Sequence, residues 1–234
     1  MVHSDAPFMR DPKRFFYDTI ADDFDTIANA YDTQRRVEIV FDEMLRAENL
    51  AGRTLLDVGC GTGWFSAAAA RRAARVTSLD VGMRLLELTR ARCASRPVAG
   101  DACALPFPDG AFDLVVSSEC IEHTVAPLAA VREIRRVVRP GGLFLITVPN
   151  RVWRFAATVA NGLGLRPYDG YENWVGWGEM RRTLADLDSS IVQMRGFHAV
   201  PPVIRATQPL LRRLDALGES MGPVMLNMAV LARR

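Results

Sequence analysis

The sequence predicts an α/β fold, a mostly parallel sheet with helices on both faces. Two observations carry the prediction. Between Arg53 and Val148, short apolar runs alternate with helix-length segments, the pattern that builds a parallel sheet. The first of these runs passes directly into the glycine loop Gly59-Cys60-Gly61-Thr62-Gly63, a strand-to-helix turn with so little bulk that a ligand can approach its backbone.

The elements follow in order. Pro12 to Ala30 is amphipathic and acidic, with Phe16, Ile20, Phe24 and Ile27 near helical spacing. A second helix carries Val37, Val40, Phe41, Met44 and Leu45 on one stripe, and Gly52 closes it. Arg53 to Val58 reads as a strand, Trp64 to Ala74 as a helix, and Arg75 to Leu79 as a strand ending on Asp80. Next come a helix over Met83 to Cys93, a brief strand near Val98, a strand over Phe112 to Ser117, a helix over Ala126 to Val138 and a strand over Leu143 to Val148. Pro140-Gly141-Gly142 marks the turn before that strand, because proline ends a helix and glycine permits positive φ. Beyond Pro149 aromatic residues and glycines mix without a period, which reads as an insertion. Apolar segments return at Ile191 to Phe197 and Pro223 to Leu231, around a helix from Val203 to Leu217.

A chain of 234 residues with 49% hydrophobic composition can bury about 70% of its unfolded surface without metals or disulfides. We read residues 1–234 as one domain: N-terminal helices that form a lid over 1–50, a core over 51–150, an insertion over 151–189, and C-terminal strands and helix over 190–234. The net charge is +2 and Lys13 is the only lysine. Acidic residues interleave with the arginines, so no long single-sign tract is offered to nucleic acid or to an anionic membrane. Cys60, Cys93, Cys103 and Cys120 lack the C-x-x-C spacing of a zinc site, and no metal is expected. The N-terminus has no secretory pattern, and no apolar run approaches the roughly 20 residues that span a bilayer. The expectation is a cytoplasmic protein without a transmembrane segment.

Two ligand classes use a glycine-rich strand-to-helix turn, the dinucleotides and S-adenosylmethionine. The dinucleotide fingerprint G-x-G-x-x-G would need a small residue at position 64, which is Trp64, whereas G-x-G-x-G is met by Gly59, Gly61 and Gly63.

The stretch Leu55-Leu56-Asp57-Val58-Gly59-Cys60-Gly61-Thr62-Gly63 resembles the first motif of the class I S-adenosylmethionine-dependent methyltransferases, small-molecule type. That family has a Rossmann-like seven-stranded sheet with an antiparallel last strand. The resemblance implies cofactor-binding roles for Asp57, Gly59, Cys60, Gly61 and Gly63. It also implies that Asp80 takes the ribose hydroxyls and that Met83 flanks the adenine. Asp101 would accept from the adenine amine, and the Ala102 N–H would meet a ring nitrogen. Ser118 belongs to the segment after the fourth strand that touches the methionyl group. Physically Asp80 suits its role, since a carboxylate at the end of a parallel strand can accept two hydrogen bonds.

In the same segment, His123 resembles the histidine of ubiquinone-type O-methyltransferases, and imidazole titrates near neutrality, so it is the candidate general base. A loop-ordering role is the alternative. Tyr31, Trp174 and Trp177, with Tyr168 and Tyr171, are candidates for an acceptor wall or lid, or else they plug the insertion against the domain. The expected activity is methyl transfer to a small, partly apolar metabolite, at a hydroxyl or else at an amine such as that of an amino sugar. Nucleic-acid methylation is disfavoured, because Ser117-Ser118-Glu119-Cys120 stands where adenine-modifying enzymes carry an Asn/Asp-Pro-Pro-aromatic motif. A non-catalytic cofactor-binding protein would keep Asp57, Gly59 and Asp80 only by accident. The pattern specifies neither the acceptor nor the oligomeric state.

Overall fold

The computed structural model describes residues 11–164, 170–202 and 207–234. Seven strands form one sheet: β1 (Thr54–Val58), β2 (Arg75–Asp80), β3 (Arg96–Ala99), β4 (Phe112–Ser118), β5 (Val138–Pro149), β6 (Ser190–Phe197) and β7 (Asn227–Arg233). Their order is β3-β2-β1-β4-β5-β7-β6. The first five are parallel, and β7 runs antiparallel between β5 and β6.

Alternation of side chains along the strands makes two cores. Leu56, Val58, Val115, Phe144 and Ile146 face one side, where they meet Ala130, Val131, Ile134 and Val137 of α6 (Pro127–Val137) and Met180 and Leu184 of α8 (Trp177–Asp186). Leu55, Leu114, Val116 and Leu145 face the other. There they meet Ala68 and Ala69 of α4 (Trp64–Ala70) and the stripe Ile39, Val40, Phe41 and Met44. That stripe is a π-helical turn, Ile39–Met44, continuing α3 (Ala30–Glu38).

The chain leaves β1 toward β2 on one side, and β4 pairs with β1 on the other. Strand order therefore reverses between β1 and β4, where a crevice opens at the carboxyl ends of the strands.

Several elements differ from the sequence reading. Residues 12–30 do not form one helix: a 3₁₀ turn (Pro12–Phe15), α1 (Phe16–Thr19) and α2 (Phe24–Ile27) follow one another with no buried residue in any of them. Without a face to bury, helical spacing alone does not sustain a long helix. The Pro140-Gly141-Gly142 turn lies within the bounds of β5 as an excursion. Val138 pairs with Phe112, and the register resumes only at Leu143 opposite Leu114. Helix α4 ends at Ala70, and Gly222–Val224 is a 3₁₀ turn rather than the start of a strand. The insertion contains α7 (Arg154–Gly162) before α8. Of the expected helix over Val203 to Leu217, residues 203–206 lie outside the described residues. Its remainder is α9 (Gln208–Leu214) and a 3₁₀ turn, followed by α10 (Gly218–Met221).

The glycine loop is locked against β4 by one close approach. Gly59 has φ +71°, and a Cβ there would sit 2.5 Å from the Cys120 Cβ. Gly59→Ala is therefore expected to cost about 2–4 kcal/mol, from overpacking and left-handed backbone strain together. Chemical denaturation measures it, and a loss below about 1 kcal/mol would contradict this packing.

Candidate active site

The ends of β1, β2 and β4 bring the predicted residues together, but in different roles. Asp80, closing β2, accepts from the Gly61 N–H at 2.9 Å and from the Gly82 N–H at 3.0 Å. One carboxylate thus ties the glycine loop to the start of α5 (Met83–Arg92). Burial raises its pKa, and these backbone donors oppose the shift.

The glycines divide by task. A Cβ on Gly63 would meet Thr89 of α5 at 2.9 Å, so Gly63, like Gly59, serves packing. Gly61 has φ +53° and open space where its Cβ would stand, which leaves this part of the loop approachable. Cys60 is buried beneath the loop, its thiol 3.5 Å from the Thr89 hydroxyl. Asp57 lies lower still and accepts from the Ser66 hydroxyl at 2.6 Å, which in turn is 2.6 Å from the Ser78 hydroxyl. Burial pushes its carboxyl up to about 7. Trp64 does not press on the strand. Its indole is outward, donates to Asp25 at 3.0 Å and lies under the Arg92 guanidinium, 4.4 Å from the ring centroid.

Asp101 accepts from the Cys103 N–H at 2.8 Å and holds the Arg14 guanidinium at 2.7 Å. Ala102 is buried, Met83 is exposed, and the Ser118 hydroxyl turns to Thr147 of β5 at 2.8 Å. Beyond β4, Glu119 has φ +49° and accepts from Thr147 at 3.1 Å and Asn227 at 3.0 Å. Left-handed backbone at a non-glycine residue is strain of the kind that gathers at functional sites. Glu122 is buried. Burial first, then the charge of Glu119, drives its pKa well above the ordinary carboxylate range, and Arg36 pulls it back.

His123 is held from both sides. Its Nδ1 is 2.8 Å from the Tyr171 carbonyl oxygen and its Nε2 is 3.1 Å from the Tyr17 hydroxyl. A carbonyl can only accept, so Nδ1 carries a proton, and in the neutral ring Nε2 presents its lone pair. The Glu122 carboxylate stands 3.6 Å from Nε2.

The aromatic candidates are placed apart from this group. Trp174 is buried, and Trp177 turns inward onto Gly222, where a Cβ would meet the indole at 2.4 Å. Tyr31 donates to the Gln208 carbonyl at 3.1 Å. Tyr168 lies outside the described residues. His198 is fully buried, 3.2 Å from Asp32. The rings at the crevice are instead Tyr17 and Tyr171.

Sequence reasoning expected the N-terminal helices to form a lid but missed the contacts through which the segment is held. Besides Arg14 and Tyr17, Asp18 accepts from the Arg84 N–H at 2.8 Å and the Leu85 N–H at 3.2 Å, capping α5 from outside. Asp25 accepts from Thr62 at 2.7 Å, and Asp11 takes the Tyr171 hydroxyl. The signal was present as acids at positions 11, 18 and 25, with nothing local to say what they met.

Fold and crevice together define an open α/β protein with its crevice at the β1/β4 switch point, the place where such sheets receive ligands. A methyltransferase-domain profile matches residues 56–146. A probable S-adenosylmethionine-dependent methyltransferase of Mycolicibacterium smegmatis is 39% identical over 119 residues, 50% of this chain and 46% of that protein. The ubiquinone biosynthesis O-methyltransferase of Pseudomonas paraeruginosa is 38% identical over 109 residues, 44% of this chain and 47% of that protein. The chain spans about half the length of these curated relatives. Among solved structures, magnesium protoporphyrin IX methyltransferase from Synechocystis, with bound S-adenosylhomocysteine, superposes with TM-score 0.69 at 16% identity, covering 95% of this chain and 98% of that one. Residues 56–146 thus carry a methyltransferase domain similar to that of S-adenosylmethionine-dependent methyltransferases.

The donor set suits that cofactor. Gly61 leaves room at the loop, and Asp80 keeps lone pairs beyond its two backbone contacts. Asp80→Ala is expected to weaken S-adenosylmethionine binding at least tenfold in calorimetric titration, and unchanged affinity would remove Asp80 from the site. Asp57 gives a pH test. Its folded pKa of about 7 exceeds the ordinary 3.8, so its stabilisation is complete below about pH 4 and lost as pH rises through 7. Between pH 5 and 8 the Tm of the wild type should fall about 3–6 °C further than that of Asp57→Asn. Parallel Tm profiles would contradict the shifted carboxyl.

Proposed function

We propose that the protein transfers the methyl group of S-adenosylmethionine to a hydroxyl of a small, partly apolar metabolite, with His123 as general base. The observation that carries this reading is the 2.8 Å contact between His123 Nδ1 and the Tyr171 carbonyl, which in the neutral ring puts the lone pair on Nε2, directed at a hydroxyl, that of Tyr17.

The bound cofactor would supply an electrophilic methyl carbon on its sulfonium. The protein's own work is alignment and proton removal. Asp80, Gly61, Asp101 and Ala102 would hold the nucleoside. Nε2 of His123 would take the acceptor's proton in the place where it now meets Tyr17, and the nearby Glu122 would stabilise the imidazolium that forms. Tyr171 fixes the ring through its carbonyl and so preserves the basic tautomer. Support for a hydroxyl target also comes from the likeness to the ubiquinone biosynthesis O-methyltransferase of Pseudomonas paraeruginosa.

Methylation of an amine is favoured by one separate observation: Glu122 Oε2 is buried with no hydrogen-bond partner among the described residues, a place for an ammonium. The two readings part on His123, since an amine can lose its proton after transfer.

An acceptor screen following S-adenosylhomocysteine release, run beside titration of the cofactor, tests both. With a confirmed hydroxyl acceptor, His123→Ala should lower kcat by about 10²–10⁴-fold with cofactor affinity unchanged. Unchanged turnover would take His123 out of the chemistry, and no cofactor binding at millimolar concentration would overturn the whole reading.

A further inference from the structure

One buried carboxylate oxygen near the candidate base is left without a partner. Glu122 is 1% exposed, and its Oε2 has no hydrogen bond among the described residues. Buried polar atoms are nearly always paired, because the hydration lost on burial is not recovered otherwise. Protonation does not remove the orphan, since a protonated Oε2 would be a donor without an acceptor. The surrounding charges point to what is missing. Burial, then the neighbouring Glu119 and Glu172, raise the Glu122 pKa well above the ordinary carboxylate range, and the cation that opposes them, Arg36, donates to Asp32 at 2.7 Å. The empty place beside Oε2 is one for a positive charge.

The carboxylate is also held firmly, and beside the reacting position. Glu122 belongs to the 3₁₀ turn Ile121–His123, and the insertion clamps that turn. The Asn173 N–H donates to the Glu122 carbonyl at 2.7 Å, the Asn173 side chain donates to the Thr124 carbonyl at 2.8 Å, and the Tyr171 carbonyl accepts from His123. The other carboxylate oxygen, Oε1, stands 3.6 Å from His123 Nε2, so bond lengths alone put Oε2 within about 6 Å of the base. Tyr17, whose hydroxyl meets Nε2 at 3.1 Å, marks the place of an acceptor hydroxyl. A hydroxyl bonded to Nε2 and an ammonium bonded to Oε2 can therefore sit on neighbouring carbons of one molecule.

We propose that Glu122 holds an ammonium of the acceptor, so that the molecule methylated is an amino alcohol with its hydroxyl on His123. The proposal rests on the hydroxyl reading of the reaction and narrows its substrate class. The two oxygens of Glu122 divide the tasks: Oε1 faces the imidazole and Oε2 the ammonium. An amine kept protonated in this way has no lone pair to offer, so the nucleophile is the hydroxyl oxygen. That oxygen takes the methyl carbon from sulfur, the electron pair of the broken bond stays with sulfur, and the hydroxyl proton passes to Nε2. Glu122 thus recognises the acceptor's charge and decides which of its atoms is methylated.

The test uses two probes on the full chain with S-adenosylhomocysteine bound: trans-2-aminocyclohexanol, which carries both groups, and trans-cyclohexane-1,2-diol, in which a hydroxyl replaces the ammonium. Calorimetric titration near neutral pH is expected to show the amino alcohol binding about tenfold more tightly than the diol, the discrimination of one charge-assisted hydrogen bond. Glu122→Gln keeps the shape and removes the charge. It should bring the two affinities together and leave cofactor affinity unchanged, which also shows that the variant is folded. With S-adenosylmethionine in place of S-adenosylhomocysteine, mass spectrometry should find the new methyl group on oxygen. Equal binding of the two probes by the wild type, no binding of either at tens of millimolar, or retained discrimination in the variant would overturn the proposal. So would a methyl group on nitrogen. Discriminated binding that Glu122→Gln removes, with no transfer to either probe, would uphold the ammonium contact and count against the reaction itself.

Discussion

The crevice depends on the carboxylate of Asp80. A parallel sheet delivers its strands to a common edge, but the loops that leave that edge are independent until something joins them. Asp80 joins two by accepting from the Gly61 N–H of the glycine loop and the Gly82 N–H at the start of α5. Both donors are backbone groups, so the link fixes the path of the chain rather than a rotamer. The same loop is pressed on its other side by Cys120 at Gly59 and by Thr89 at Gly63. Gly61, the position between these two contacts, is open, and the resulting shape is a rigid arch with one approachable point.

Acidic groups at the two ends of the sheet live in opposite electrostatic conditions. At the amino end, Asp113 accepts from the Thr54 hydroxyl and N–H and from Arg139, and these contacts hold its pKa down at about 2. At the carboxyl end, Asp57, Asp80, Glu119 and Glu122 are all raised, in each case chiefly by burial. Satisfied charge at one end is structural. Under-compensated charge at the other end is stability withheld from the fold, and burial without full pairing is how sites keep groups ready for a ligand or a proton. The half-buried Arg36, whose Nε has no hydrogen-bond partner among the described residues, extends this condition toward Glu119 and Glu122.

The parts of the site that were legible in the sequence are those that a strand end dictates. Asp57 and Asp80 stand at the ends of strands, and the glycine loop, Asp101 and the run to His123 follow strands within a few residues, so period and punctuation locate them. What stayed hidden depends on contacts between distant parts of the chain. Nothing near Asp18 says that it caps α5, 66 residues away at Arg84, and nothing near Tyr17 points to His123. The aromatic insertion shows the converse. Trp174 and Trp177 have the composition of a wall, yet Trp177 turns to the core because Gly222 leaves a gap of its size, a feature 45 residues further on. Trp64 likewise takes its direction from Asp25 and Arg92, not from the turn it occupies.

The N-terminal segment adds a competition to this geometry. From Asp11 to Asn29 only Ala21 is buried, so the segment adds little apolar burial and is held mainly by polar and ionic contacts, which are individually weak when solvent reaches them. The atoms it holds are those a bound pair of reactants would need: Arg14 takes an oxygen of Asp101, and Tyr17 takes Nε2 of His123. In the proposed reaction an adenine amine at Asp101 would compete with Arg14, and an acceptor hydroxyl at Nε2 would compete with Tyr17. Contacts at Asp18 and Asp25 do not overlap with these positions, since they engage the start of α5 and the outer side of the glycine loop. The segment can therefore stay attached at those two points while its first turn yields, which in the proposed reaction would couple admission of both ligands to one short stretch of chain.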